Sequence, residues 1–245
     1  MAKGGKEQAG SAPQSQLALG ASTDVGKVRK SNQDFYSAVL APNAPPGVGG
    51  VLVVADGVGG QQGGEQASRQ AVHAVLEYLR DVGPPVAQDG GKARADQVRL
   101  AIEHANTAVN RAATTPETRG MATTLVVVFV EGPTVTVGNV GDSRCYILRA
   151  DTMTQVTRDH SFVAEEVARG ALTPEQAATH PRRNMLTRAI GVEGRVQVDT
   201  FQFAGEENDV FVLCSDGLHG MVSDDEIATV LRTEEPGEAA EALVA

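Results

Sequence analysis

Residues 125–140 constrain the fold more than any other stretch of this 245-residue chain. Leu125-Val126-Val127-Val128-Phe129-Val130 is apolar throughout, and Thr134-Val135-Thr136-Val137 alternates after it. β-Branched residues fit a pleated, buried surface. Glu131-Gly132-Pro133 between the two runs reads as a tight hairpin turn. An antiparallel pair is therefore expected, with strands over 125–130 and 134–140. Further apolar or alternating runs predict strands over 51–55, 145–148, 196–203 and 210–214. Helical periodicity places one helix over 64–80 (Ala67, Ala71, Val72, Val75, Leu76, Leu79) and another over 95–113 (Val98, Ile102, Ala105, Val109). Ser223 with Glu226 forms a capping box that opens a third helix, and a last helical stretch begins near Pro236. Two adjacent helices thus follow one strand, and hairpins come after them. That order excludes a doubly wound sheet and fits an α+β layered sandwich.

Residues 1–18 are rich in Gly, Ala, Ser and Gln without periodicity and read as a flexible tail. Residues 19–245 show no linker and read as one domain. The net charge is −10 and aromatic residues make up 4%. An acidic, aromatic-poor chain is a poor partner for nucleic acid. No apolar run approaches the roughly 20 residues of a membrane span, and no secretory leader is visible. The only two cysteines, Cys145 and Cys214, exclude a disulfide scaffold and point to a reducing cytoplasm. Cys214 lies inside an apolar run and reads as a small core residue.

One pattern occurs twice. Asp56 ends the run Val51-Leu52-Val53-Val54-Ala55 and precedes Gly57. Asp216 follows Val210-Phe211-Val212-Leu213-Cys214-Ser215 and precedes Gly217. A carboxylate at the tip of a buried strand is held rigidly, and the glycine after it exposes a carbonyl. Asp-Gly alone makes a turn; two copies, each after an apolar strand, say more. Asp142, in Gly141-Asp142-Ser143-Arg144, and Asp34, before Phe35-Tyr36, stand in similar contexts. If the four converge, two unit charges about 4 Å apart repel by roughly 4 kcal/mol at an effective dielectric near 20. Protonation or a divalent cation relieves that. All-oxygen ligands suit Mg²⁺ or Mn²⁺ rather than Zn²⁺, and two such ions can activate a shared water for displacement at phosphorus. The glycines from 57 to 64 do not make a dinucleotide loop, because the sixth position from Gly57 is Gln62. There is no GK[ST], no nucleophile elbow and no HExxH.

The motifs together resemble the metal-dependent type 2C protein phosphatases, in particular the bacterial branch. They run in the family's order: Thr23-Asp24-Val25-Gly26 through Arg29 to Asp34; Ala55-Asp56-Gly57-Val58-Gly59-Gly60; Gly120-Met121-Ala122-Thr123-Thr124; Val140-Gly141-Asp142-Ser143-Arg144 with Asp159-His160-Ser161; and Leu213-Cys214-Ser215-Asp216-Gly217. The resemblance implies a four-layer αββα sandwich: two central antiparallel sheets flanked by helix pairs. It implies hydrolysis of phosphoserine and phosphothreonine by attack of a metal-bridging water. Asp56 then resembles the carboxylate bridging two Mn²⁺ or Mg²⁺ ions, and Gly57 a carbonyl donor to the second. Asp216 resembles a ligand of the first ion, and Asp34 a ligand of metal-held water. Asp142 with Asp216 resembles a third-ion site. Arg29 resembles the residue that holds the substrate phosphate; a guanidinium fork suits that task. Residues 161–183 match the family's flap, with Thr173 capping a short helix that has Pro174 at its first position.

Two departures are visible. Animal members carry a His two residues after the bridging Asp, whereas Val58 stands here. The family's Asp-Asn motif and last strand have no counterpart before Ala245, so a weakened first-metal site and an unpaired sheet edge are expected. The alternative function is therefore a catalytically impaired, phosphatase-like regulatory or binding module. The leading expectation is a cytoplasmic monomer acting on phosphorylated proteins, including a Ser/Thr kinase or its substrates, with no nucleic-acid or membrane partner.

Overall fold

Strands β2 (Gly50–Val58) and β4 (Leu125–Glu131) are buried on both faces, which is why their sequences do not alternate. Val51, Val53, Ala55, Leu125, Val127 and Phe129 point into one core, and Leu52, Val54, Val126, Val128 and Val130 into another. Successive side chains on a strand face opposite ways, so each strand supplies two layers at once. The computed structural model in which this is seen describes residues 17–45, 47–59, 61–82 and 91–245. The tail expected over residues 1–18 falls outside the described residues as far as residue 16; Leu17 packs against the second core.

The larger sheet has the strand order β1 (Asp34–Leu40), β2, β4, β5 (Thr134–Val140), β8 (Asp199–Ala204), with β3 (Ala122–Thr123) paired to the end of β2. The smaller sheet has the order β7 (Thr152–Gln155), β6 (Arg144–Arg149), β9 (Val210–Cys214). Every pairing is antiparallel. Helices α1 (Gln61–Val82) and α2 (Gly91–Ala112) cover the outer face of the larger sheet. Cys145, Phe211 and Leu213 of the smaller sheet close the core on its inner face. Helices α6 (Asp224–Thr233) and α7 (Pro236–Val244) pack on one another, α6 lies against β7, and the pair buries Ile227, Ala228 and Ala239. The order of layers is helix pair, sheet, sheet, helix pair, as expected.

The 125–140 hairpin forms with Glu131 opposite Thr134 and a two-residue loop in which Gly132 has φ +54°. The Ser223 capping box is present, Asp224 and Asp225 lie in the first turn of α6, and Thr173 caps α4 (Pro174–Ala178) with Pro174 in its first turn. The remaining helices are α3 (Phe162–Ala168), α4 and the single turn α5 (Asp216–His219). Some expectations need correction. β8 begins at Asp199 rather than residue 196, because its ladder with β5 starts at the Asn139–Asp199 pair. Val196 and Val198 pack against the helix-side core without pairing, so their apolar signal is burial alone. Strands β1, β3 and β7 were not expected from the sequence.

Candidate metal and phosphate site

The first two carboxylates meet because β1 and β2 pair in a register that sets Asp34 directly opposite Asp56. The Asp56 N–H donates to Thr124 Oγ1 at 2.9 Å, and its carbonyl accepts from Thr123 Oγ1 at 2.8 Å and from the Thr124 N–H at 2.9 Å. Every backbone polar group of Asp56 is thus satisfied by the segment entering β4, which leaves the side chain to face the cleft. Asp142 precedes β6 and Asp216 follows β9, whose Arg144–Cys214 pairing brings both to the same end of the smaller sheet. Two hydroxyl contacts tie the sheets together at this end. Ser215 Oγ donates to Asp34 Oδ2 at 2.5 Å, and Thr124 Oγ1 lies 2.6 Å from Ser143 Oγ.

Glycine is required at two places here. A Cβ on Gly57 would sit 2.1 Å from the carbonyl oxygen of Gly64 in α1, so only glycine lets β2 approach the helix this closely. Gly141 has φ +104°, and a Cβ there would lie 2.7 Å from Thr124 Cβ. An L-residue would be strained in that conformation as well as crowded.

The electrostatics show what this arrangement needs. Burial, then the charges of Asp34 and Asp216, push the Asp56 carboxyl up to about 9. Burial, then Asp216 and Asp159, raise Asp142 to about 6. Asp34 and Asp216 are the acidic neighbours that act on Asp56. Burial and like charge both oppose ionisation, so the carboxylates share protons unless a cation neutralises them. No three His, Cys, Asp or Glu side chains among the described residues are arranged to ligate one ion. Paired contacts fit the chemistry of a hard cation that keeps most of its waters and takes only one or two carboxylates. The donor set is all oxygen, and the two buried cysteines stay outside it; burial pushes the Cys214 thiol up to about 12 and the Cys145 thiol upward too.

The four carboxylates stand at the same end of the two sheets, Asp34 opposite Asp56 on β1 and β2, and Asp142 and Asp216 beside the paired ends of β6 and β9. Arg29 stands apart on the exposed turn before β1, where it lines a cavity of about 410 Å³ with Val28, Lys30, Ser31 and Gln33. Arg144, by contrast, is committed: its fork grips Asp159 through Nε and Nη2 at 2.7–3.1 Å, and Nη1 reaches Tyr146 Oη at 2.7 Å. Val58, at the exposed end of β2, offers no proton donor. The hydroxyls of Thr124, Ser143 and Ser215 carried no assignment in the sequence. Their adjacency to Asp142, to Asp216 and to the β3–β4 segment was the available signal.

Against known proteins, residues 27–245 match the family model described as "Protein phosphatase 2C". The serine/threonine phosphatase stp of Listeria innocua is 35% identical over 217 residues, covering 86% of this chain and 82% of that protein. The S. agalactiae serine/threonine phosphatase structure superposes with a TM-score of 0.83 at 32% identity, covering 93% of this chain and 91% of the other. The PstP catalytic domain, solved in complex with two manganese ions, superposes with a TM-score of 0.73 at 32% identity, covering 89% and 86%. The convergence of Asp34, Asp56, Asp142 and Asp216 at one end of two facing sheets therefore has a family behind it: the chain belongs to the protein phosphatase 2C family.

Proposed function

We propose that this chain is a metal-dependent protein serine/threonine phosphatase whose site is the carboxylate cluster at the end of the two sheets. The observation that carries the reading is Asp56, a buried carboxylate whose ionisation is opposed by burial and by its acidic neighbours Asp34 and Asp216. Asp56, with the carbonyl of Gly57, Asp34 and Asp216, would hold two Mn²⁺ or Mg²⁺ ions, and Asp142 with Asp216 a third. Bound ions of this kind activate water and neutralise charge developing on phosphoryl oxygens.

The protein's own contribution is positioning. The β1–β2 register and the Thr123 and Thr124 bonds fix Asp56. Ser215 fixes Asp34 across the sheets. Arg29, unpaired among the described residues and lining its own cavity, is free to take two phosphate oxygens with its fork. Such a pairing would hold the phosphate without covalent attachment to the protein. Residues 19–245 form the catalytic domain in this reading. The substrates are proteins bearing phosphoserine or phosphothreonine, a Ser/Thr kinase or its targets among them. A cytoplasmic site of action is supported by two buried, unpaired cysteines. No helix among the described residues is long and apolar enough to cross a membrane.

The test is hydrolysis of p-nitrophenyl phosphate and of a phosphothreonine peptide with Mn²⁺, with chelator, and by the Asp56→Asn variant. Activity that needs metal and falls at least about 100-fold in the variant supports the reading. A folded protein inactive with every divalent ion overturns it in favour of a binding module.

A further inference from the structure

His160 is 3% exposed, and the mechanism above gives it no task. It holds both polar groups of the residue before Asp142. The ring Nδ1 accepts the Gly141 N–H at 3.1 Å, and the His160 backbone N–H donates to the Gly141 carbonyl at 2.9 Å. Because Nδ1 accepts, the neutral ring carries its proton on Nε2. That atom is buried without a well-aligned hydrogen bond and lies 3.3 Å from Asp199 Oδ2. Asp199 is in turn held by Arg188 Nη1 at 2.7 Å. The His160 carbonyl accepts the Thr187 N–H at 2.9 Å, and Ser161 bridges Leu186. Residues 161–187, which carry α3 and α4, therefore leave and rejoin the body of the protein at the backbone of His160 and Ser161, directly behind the ring that holds Gly141 and faces Asp199.

We propose that His160 is a positioning residue that clamps the Gly141–Asp142 turn to the root of the α3–α4 excursion, so that the Asp142 carboxylate and the excursion are held as one unit. The significance of Asp142 rests on the function proposed above; the clamp itself does not. A buried side chain that grips a turn adjacent to a ligand acts on metal affinity through geometry, as outer partners of metal sites do. Gly141 cannot hold the turn by itself, since its backbone conformation lacks the bias a side chain supplies.

Three variants of the full chain test this: His160→Ala, His160→Asn and His160→Gln. Asn puts its oxygen close to where Nδ1 lies, and Gln reaches instead toward the Nε2 position. Hydrogen exchange of the metal-free protein is expected to rise about tenfold over 139–144 and over 161–187 together in the Ala and Gln variants, the equivalent of one lost hydrogen bond. In the Asn variant 139–144 stays near the parent value. The Mn²⁺ concentration for half-maximal hydrolysis of p-nitrophenyl phosphate is expected to rise about 10- to 100-fold in the Ala and Gln variants. The KM for the ester stays within about twofold, because the clamp does not touch substrate. Should the Ala variant fail to fold, the contrast between Asn and Gln decides. Equal behaviour of Asn and Gln, or exchange that rises in only one of the two segments, overturns the proposal. A parent protein inactive with every metal would overturn the phosphatase reading and leave the exchange measurement intact.

Discussion

Strand β6 begins and ends on an arginine, and the two ends treat carboxylates in opposite ways. At the far end, Arg149 binds Asp209 through Nε at 2.8 Å and Nη2 at 2.7 Å, and Nη1 reaches Glu206 at 2.7 Å. The Arg149 fork holds the Asp209 carboxyl below its usual range. At the near end, Arg144 directs its fork to Asp159, while Asp56 and Asp142 are pushed upward by burial and by their acidic neighbours. Hydrogen-bonded ion pairs are the ordinary way to keep a buried carboxylate. Among the described residues the near end makes no such pair for Asp56, and the repulsion it keeps is relieved by protons or by a cation from outside. One end is built to be stable, the other to bind.

The contrast breaks most severely where the binding end depends on shape rather than charge. Gly57→Ala alters no carboxylate, yet its Cβ must displace the backbone of Gly64 at the start of α1. We expect a loss of about 3 kcal/mol from overpacking. Metal-dependent hydrolysis should disappear along with the rise in melting temperature that Mn²⁺ gives the parent. Denaturant unfolding with and without Mn²⁺ measures the stability loss and the metal stabilisation, and p-nitrophenyl phosphate turnover measures the activity. A variant that unfolds like the parent and still gains stability from Mn²⁺ would show that Gly57 is not needed for the close approach.

Asp209→Asn breaks the other end. It removes the charge that Arg149 holds and keeps the shape. With Arg149 partly exposed, the expected destabilisation is about 1–2 kcal/mol. It should be the same with and without Mn²⁺, and kcat should not change. Asp56→Asn should do the reverse: little or no loss of stability in chelator at pH 7, and loss of the stabilisation that metal brings. If both substitutions destabilise the metal-free protein equally, the two ends are not different in kind.

How much of this the sequence disclosed follows from where each signal resides. β2, β4, β5 and β9 were legible because burial on one or both faces leaves long apolar runs. The four carboxylates were legible because a rigid strand tip followed by a turn needs a short, local pattern. The β6–β7 hairpin was not, since its turn uses Ala150 at φ +44° and Asp151 at φ +67° where glycine or asparagine is the usual marker. β1 was missed because Asp34–Leu40 is an edge strand of mixed polarity, only half buried. The Asp34–Asp56 opposition is a matter of register between strands, and Ser215, Thr124 and His160 act through contacts spanning 181, 68 and 19 positions. No local window holds such partners.

The pH dependence gives the sharpest comparison, because it has opposite sign at the two ends. Asp56 has its carboxyl raised by burial and by Asp34 and Asp216. The folded, metal-free protein therefore binds a proton there that the unfolded chain releases above about pH 4. Stability must fall as pH rises between that point and about 9, where the folded group also ionises. Asp209 has its carboxyl lowered by Arg149. Its contribution is complete above the ordinary carboxylate range and is lost as pH falls below it. In chelator, unfolding free energy measured from pH 7 to 9, above the range in which Asp142 titrates, should decline for the parent and for Asp209→Asn, and flatten in Asp56→Asn. Below pH 4 the Asp209→Asn variant should lose less than the parent. Saturating Mn²⁺ should abolish the decline in the parent, because the cation takes the place of the proton. A decline that survives both Asp56→Asn and Mn²⁺ would mean that the acidic end titrates through some other group.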